Sequence, residues 1–109
     1  MGIVFHETSR EFHLYNNHIS YIIKILPNNQ LGQLYFGKRI HDREDFGYFL
    51  EFANRPMTAI LQDYGFSLEH VRQEYPSYGT TDFRFPALEI LQEDGSRLTN
   101  FTYETHQIF

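Results

Sequence analysis

Apolar and polar residues alternate along most of residues 1–40. After a short apolar run from Ile3 to Phe5, the apolar positions are Phe12, Leu14, Ile19, Tyr21, Ile23 and Ile25. A period of two among β-branched and aromatic residues is typical of half-buried strands. The pattern therefore predicts a series of short strands at the start of the chain.

Turn-forming residues separate these runs. Asn16-Asn17 predicts a hairpin turn because Asn tolerates positive φ, and Pro27-Asn28-Asn29 predicts the next turn. A further strand is predicted from Gln30 to Ile40, with Gly32 and Gly37 as places for a bulge or kink. Residues 1–40 are thus predicted to form an antiparallel meander.

The alternation weakens between His41 and Gly65. The charged run from His41 to Asp45 predicts a solvated loop, and Asn54-Arg55-Pro56 is a turn signal. The apolar residues between them show no clean period: Phe46, Tyr48, Phe49, Leu50 and Phe52. An irregular stretch of this length in a compact domain is typical of a functional loop or of one packed against another part of the protein.

The densest run of aromatic, Gly and Pro residues extends from Gln73 to Ala87. Pro76 and Pro86 fix φ and extend the residues before them, while Gly79 admits a backbone conformation that a Cβ resists. An ordered turn leading into a strand is therefore predicted here.

Two side-chain arrangements are predicted around this run. Asp82 and Arg84 flank Phe83, so in a strand they share one face and form an ion pair above a buried ring. Upstream, Ser67 is predicted to cap a helix of about two turns. Its apolar side carries Leu68, Val71 and Tyr75.

The last part of the chain returns to strand patterns. Strands are predicted over Arg84–Gln92 and Arg97–Phe109, joined by a hairpin turn at Asp94-Gly95. Strand pairs, short turns and little helix together predict an all-β fold, an antiparallel β-sandwich with one short helix. Because the chain ends on Ile108-Phe109 without a polar tail, we expect it to be the first part of a longer protein.

Composition narrows the function classes. The 109 residues suit one domain, and 17% aromatic residues argue against disorder. A net charge of -5 argues against nucleic-acid and anionic-membrane surfaces. The absence of Cys excludes disulfides and thiolate chemistry. With no signal-peptide pattern at the N-terminus and no apolar run approaching about 20 residues, a cytoplasmic location is expected and a membrane one is not.

No catalytic or cofactor motif stands out. The chain has six histidines: His6, His13, His18, His41, His70 and His106. None forms the His-x₃-His pair of a helical metal site and no Cys accompanies them, so neither a metal site nor a cofactor is expected. Nucleophile-elbow, Walker and dinucleotide motifs are also absent.

The aromatic run carries a family resemblance. Gln-Glu-Tyr-Pro-x-Tyr-Gly from Gln73, followed by Asp-Phe-Arg-x-Pro from Asp82, resembles the N-terminal region of family-36 α-galactosidases. The resemblance extends in order over nearly the whole chain. Its other motifs are Phe12-His13-Leu14, Leu34-Tyr35-Phe36-Gly37-Lys38, Phe66-Ser67-Leu68-Glu69, Asp94-Gly95-Ser96 and Tyr103-Glu104-Thr105-His106.

The resemblance implies a role within a larger enzyme. In that family a large N-terminal β-sandwich precedes a (β/α)₈ barrel, and two Asp residues on the barrel perform retaining hydrolysis of terminal α-galactosyl groups such as those of melibiose and raffinose. Residues 1–109 would be one non-catalytic domain, a fragment of that sandwich, with the barrel absent. Its partners would be that barrel and further subunits of a tetramer, and its ligand an α-galactoside in the full-length enzyme.

A sugar contact is the remaining candidate site. The resemblance implies that the loop between Phe49 and Tyr64 reaches a neighbouring subunit's active site, where an acidic residue followed by Arg or His touches the sugar. The matching pair here is Asn54-Arg55, with Asn in place of the usual Asp. Asn keeps one acceptor oxygen and gains donors.

Other readings stay open. The carboxylates Asp42, Glu44, Asp45, Glu51, Asp63, Glu74 and Asp82 sit mostly in polar runs where a solvated surface explains them, so none is expected to be catalytic. Asn54-Arg55 reads equally as a turn beside core rings. The chain also fits a free-standing carbohydrate-binding module or a structural interaction module.

Overall fold

Four antiparallel strands form the sheet at the centre of the fold. The structure, a computed structural model, describes residues 1–50, 68, 71–79 and 84–109. Strands β1 (Gly2–His6), β2 (Glu11–Tyr15), β3 (Ile19–Ile25) and β4 (Leu31–Lys38) lie side by side in chain order. The predicted meander over residues 1–40 is confirmed.

The hairpin turns close by two different means. At the turn after β2, Asn16 Oδ1 accepts the N–H groups of His18 and Ile19 at 2.8 and 2.9 Å. This turn therefore depends on side-chain hydrogen bonding rather than on the positive φ that the sequence argument used. At the turn after β3, Asn29 does adopt a positive φ of 66°.

A bulge in β4 lies at Leu34 rather than at either glycine of that strand. Tyr35 pairs with Ile22 and Gln33 pairs with Ile23, which leaves Leu34 as the extra residue. Leu34 is 1% exposed and packs against Ile22. The bulge turns a side chain into the core, which explains its position better than the backbone freedom of Gly32 or Gly37.

The sheet has two faces with different cover. One face carries the row of cross-strand partners Val4, His13, Ile22 and Tyr35. Residues 39–50 lie over this face and include a 3-10 helix, Gly47–Phe49. Phe46 of this segment is fully buried against Ile22 and Leu34, so it forms the main core with them.

The opposite face carries the row Ile3, Leu14, Tyr21 and Phe36. His106 packs its ring on Phe5 and Phe12 at one end of this face, with ring centroids 4.4 and 4.8 Å apart. The other end is open, and Phe36 is 62% exposed there.

The chain after Val71 is extended instead of helical. Gln33 N–H donates to the Arg72 carbonyl (2.7 Å) and Glu74 N–H donates to the Leu31 carbonyl (2.8 Å). The open edge of β4 thus binds an extended segment, because each of these backbone groups needs a partner. Leu68 and Val71 are buried as expected, but Tyr75 is 53% exposed, so the predicted three-residue helix side is wrong. The predicted cap, Ser67, lies outside the described residues.

The C-terminal part keeps its turn but loses its strands. Gly95 has a φ of +82°, and Gln92 N–H donates to the Ser96 carbonyl at 2.9 Å, which confirms the Asp94-Gly95 turn. The described residues from 84 to 109 contain no strand, so the predictions for Arg84–Gln92 and Arg97–Phe109 are wrong. The apolar side chains of these residues stay largely exposed. An alternating sequence forms a strand only where a neighbouring strand is available to pair with it.

The described residues are all-β, as the sequence predicted: one antiparallel sheet and one 3-10 turn. Gly79 has a φ of +114°, which confirms the special backbone conformation expected there. No helix within the described ranges is long and apolar enough to cross a membrane.

Candidate functional site

The predicted sugar-contact residues, Asn54 and Arg55, lie outside the described residues. The described chain leads toward them as far as Leu50. Leu50 packs against both core clusters, that of Leu26 and Val71 and that of Ile22 and Phe46. The base of the predicted loop is therefore anchored on the sheet.

The predicted Asp82–Arg84 ion pair falls partly outside the described residues, since Asp82 and Phe83 are not among them. The Arg84 guanidinium donates to the carbonyl oxygens of Leu68 and Val71 at 3.0 and 2.6 Å. Arg84 therefore binds the backbone acceptors of Leu68 and Val71, which is a structural role.

A buried polar cluster on the covered face of the sheet was not predicted. Glu11, His13 and Ser20 are each 0% exposed, whereas the alternating apolar residues Phe12 and Leu14 are only half-buried. Residues 39–50 cover the face that the sequence pattern would assign to solvent. The available signal was cross-strand pairing: Glu11 and Lys24 are direct partners, and opposite charges at such positions attract.

His13 is hydrogen-bonded through both ring nitrogens. Its Nδ1 lies 2.7 Å from Asp42 Oδ1, and its Nε2 lies 3.0 Å from Ser20 Oγ. The same Asp42 oxygen lies 3.0 Å from His6 Nε2. One carboxylate oxygen therefore joins β1 and β2 to the covering segment.

The charge of Asp42 is favoured by this arrangement. Partial burial by itself would raise the pKa of Asp42, but hydrogen bonds from His6 and His13 and their charge outweigh it and lower the pKa below the usual 3.8. The stability that Asp42 contributes is thus present above pH 3.8 and is lost as the pH falls through the lower pKa of the folded protein.

Glu11 forms the second anchor of the covering segment. Its Oε1 accepts from Lys24 Nζ at 3.1 Å, and its Oε2 accepts from the Phe46 N–H at 2.7 Å. Both oxygens of this buried carboxylate are therefore satisfied. The contact fixes Phe46 at the point where it enters the core.

The Ser20–His13–Asp42 geometry matches the order of a nucleophilic triad, but its setting does not suit catalysis. Ser20 is fully buried within the sheet, and its Oγ accepts the Ile40 N–H at 3.0 Å. A substrate carbonyl has no approach to that oxygen. Within the described part of the chain, no group of three or more His, Asp or Glu side chains is arranged to hold a metal ion.

Tyr21, on the open face, makes an ionisable contact with the segment beside β4. Burial, and then a hydrogen bond to Glu74 and the charge of that carboxylate, raise the pKa of Tyr21. The Tyr21 hydroxyl thus stays a neutral donor, and it joins β3 to the extended segment beside β4.

Comparison with known proteins shows the family of this chain. Residues 29–109 match the profile of the Glycosyl hydrolase family 36 N-terminal domain. The chain belongs to this family. The matched residues include β4 and the covering segment, residues 39–50.

The similar proteins are α-galactosidases. Alpha-galactosidase AgaA of Geobacillus stearothermophilus is 35% identical over 111 residues, which cover 100% of this chain and 15% of AgaA. The crystal structure of the α-galactosidase from Lactobacillus brevis matches with a TM-score of 0.85 and 36% identity, over 96% of this chain and 14% of that one.

A ligand complex is also among the matches. The structure of a variant of the Geobacillus stearothermophilus family 36 α-galactosidase AgaA in complex with raffinose has a TM-score of 0.73 and 35% identity, over 89% of this chain and 14% of that one. The chain spans about 15% of the length of its first curated relative.

Proposed function

We propose that this chain is the N-terminal, non-catalytic domain of a longer retaining α-galactosidase that hydrolyses terminal α-galactosyl groups. The family match over residues 29–109 carries the proposal. The contacts of two carboxylates support the non-catalytic role, because Glu11 is bound to Lys24 and Phe46, and Asp42 to two histidines. A glycosidase needs a pair of carboxyl groups that face the sugar.

An activity assay tests this proposal. The 109-residue chain and the full-length protein are each incubated with nitrophenyl α-galactoside, with nitrophenyl β-galactoside and α-glucoside as controls. We expect the full-length protein alone to release nitrophenol, and only from the α-galactoside. Turnover by the chain alone, or none by the full-length protein, would refute the proposal.

We further propose that Asn54 and Arg55 contact the sugar at a neighbouring active site of a tetramer. The packing of Leu50 on both core clusters supports this, because it holds the chain on the sheet four residues before Asn54 in the sequence. Asn54 offers one acceptor and two donors to sugar hydroxyls.

Replacing Asn54 by alanine in the full-length enzyme should raise KM for an α-galactoside about 10-fold, the equivalent of one lost hydrogen bond of about 1.4 kcal/mol. Asn17→Ala is the matched control, since Asn17 is exposed at the turn after β2. Steady-state kinetics of both variants give the comparison. An unchanged KM in Asn54→Ala would favour a purely structural segment.

The open face of the sheet supports packing on the rest of the enzyme. Ile3, Leu14, Ile19, Tyr21 and Phe36 line an apolar hollow there, together with Met1, Gly2, Tyr15 and Asn16. Exposed apolar surface of this kind marks an interface. The proposed partners of this domain are the catalytic barrel of the full-length protein and a further subunit.

A free-standing sugar-binding module is the second candidate, favoured by a different hollow. This hollow is lined by Tyr78, Phe85 and Pro86 and lies beside the Arg97–Glu89 ion pair. The Phe85 side chain is 95% exposed. Exposed rings next to charged groups suit sugar binding. Millimolar galactose binding by the isolated chain, with NMR shifts at Tyr78 and Phe85, would favour this candidate.

A further inference from the structure

His13 occupies an unusual position for an ionisable side chain. It is 0% exposed and lies between the sheet and the covering segment, with the Phe46 ring 5.4 Å from its own. A buried group that changes charge normally destabilises the fold in one of its two states. The hydrogen bonds around His13 avoid this.

The neutral imidazole is fully paired in the structure. Nδ1–H donates to Asp42 Oδ1, and Nε2 accepts the Ser20 hydroxyl at 3.0 Å. Ser20 Oγ in turn accepts the Ile40 N–H, also at 3.0 Å. In this series of hydrogen bonds, which runs from Asp42 Oδ1 through His13 and Ser20 to the Ile40 N–H, each group has a partner.

The protonated imidazole also finds a partner at each ring nitrogen after one hydroxyl rotation. Nε2–H then donates to Ser20 Oγ, which has a second lone pair for it beside the Ile40 N–H. The Ser20 hydroxyl turns to the Ile40 carbonyl oxygen, which lies 3.5 Å away. The added proton comes from water, and the negative Asp42 carboxylate balances its charge.

We propose that His13 and Ser20 form a hydrogen-bond relay that accommodates both protonation states, so that Asp42 holds residues 39–46 on the sheet across the whole range in which histidine titrates. The relay is independent of sugar binding. In a family 36 enzyme it would keep the base of the loop that carries Asn54 in one place as the pH changes.

The surrounding charges agree with this role. The ionisable side chains that share the covered face with His13 are His6 on β1, Glu11 and Tyr15 on β2, Lys24 on β3 and Tyr35 on β4. Those on the covering segment are Arg39, His41, Asp42, Arg43, Glu44, Asp45 and Tyr48. Glu11 is paired with Lys24, and the Arg39 guanidinium lies 3.9 Å from the centre of the Tyr15 ring. Asp42 is the carboxylate that contacts His13.

Hydrogen exchange measured by mass spectrometry on the full-length protein tests the relay. In the wild type, protection of the peptide over residues 39–46 should stay constant between about pH 8 and about pH 5, after correction for intrinsic rates. Exchange at the imidazole C2, measured on the same samples, follows the protonation state of His13, with the exposed His18 as reference.

Asp42→Asn should make the segment sensitive to pH. Its amide oxygen still accepts from the neutral imidazole, so protection at about pH 8 stays near that of the wild type. At about pH 5 the buried imidazolium lacks its counter-charge, and protection should fall about 10-fold, the equivalent of one charge-assisted hydrogen bond. Glu44→Gln removes an equal charge from the same segment and should follow the wild type.

Ser20→Ala provides a second variant. It removes the acceptor for Nε2–H, so the loss of protection at about pH 5 should be larger than any loss at about pH 8. Loss of protection in the wild type over this range would overturn the relay. So would a His13 that does not titrate, or an Asp42→Asn variant that matches the wild type at both pH values.

Discussion

Replacing Phe46 by alanine is expected to lower the free energy of unfolding by about 3–5 kcal/mol, the usual cost of removing a buried ring. Phe46 is 0% exposed and packs against Ile22 and Leu34. It also meets the His13 ring edge-on at 5.4 Å. The variant therefore loses the transfer free energy of the ring and leaves a cavity between the sheet and the segment that covers it.

Urea unfolding of the chain, followed by circular dichroism, measures the effect. Phe85→Ala is the matched control, because the same atoms are removed from a side chain that is 95% exposed. We expect that variant to unfold within about 0.5 kcal/mol of the wild type. If Phe46→Ala unfolded equally close to the wild type, residues 39–50 would not pack on the sheet in solution.

Replacing Glu11 by glutamine is expected to cost about 3 kcal/mol, the lower end of the range for a buried pair that loses one partner. The Lys24 ammonium and the Phe46 N–H both donate to this carboxylate, at 3.1 and 2.7 Å. A glutamine has one acceptor oxygen and one NH₂ group, so one of the two donors would face another donor. Lys24 is 18% exposed, and partial access to water limits the loss.

The surface pair of this protein supplies the control for that prediction. Glu89 and Arg97 are 2.9 Å apart, but their side chains are 53% and 62% exposed. Glu89→Gln should therefore change the free energy of unfolding by less than about 1 kcal/mol. Equal effects of the two substitutions would show that Glu11 is solvated rather than buried.

Local patterns predicted the strands well because neighbouring residues determine them. A short apolar run predicted β1, the pattern of apolar and polar residues predicted the other three strands, and turn residues predicted the connections between them. Asn29 and Gly95 both adopt the positive φ that such turns require. These features depend on a few consecutive residues, so they survive whatever the rest of the chain does.

The same patterns failed where a partner segment was needed. The sequence predicted a helix with Leu68, Val71 and Tyr75 on one side, yet the chain after Val71 is extended and pairs with the open edge of β4 through Arg72 and Glu74. The bulge at Leu34 follows the core, not the glycines. In both cases contacts distant in sequence outweigh local preference.

For the candidate site, too, some features were predicted from the sequence and others were not. The family was predicted from ordered motifs and is confirmed by the match over residues 29–109. Asn54 and Arg55 remain predictions. The cluster of Glu11, His13, Ser20 and Asp42 was not predicted, because Asp42 is 29 residues from His13 along the chain and lies in a charged run that reads as solvated.

The sequence alone determined which residues alternate, where the chain turns and to which family it belongs. Only the tertiary structure decided which side of the sheet is covered. Alternation divides a strand into two faces but does not say which face will meet a neighbour. Here the covering segment buries the polar face. Phe46 of the segment fills the centre of that face and donates its N–H to Glu11, and Asp42 of the segment binds His13.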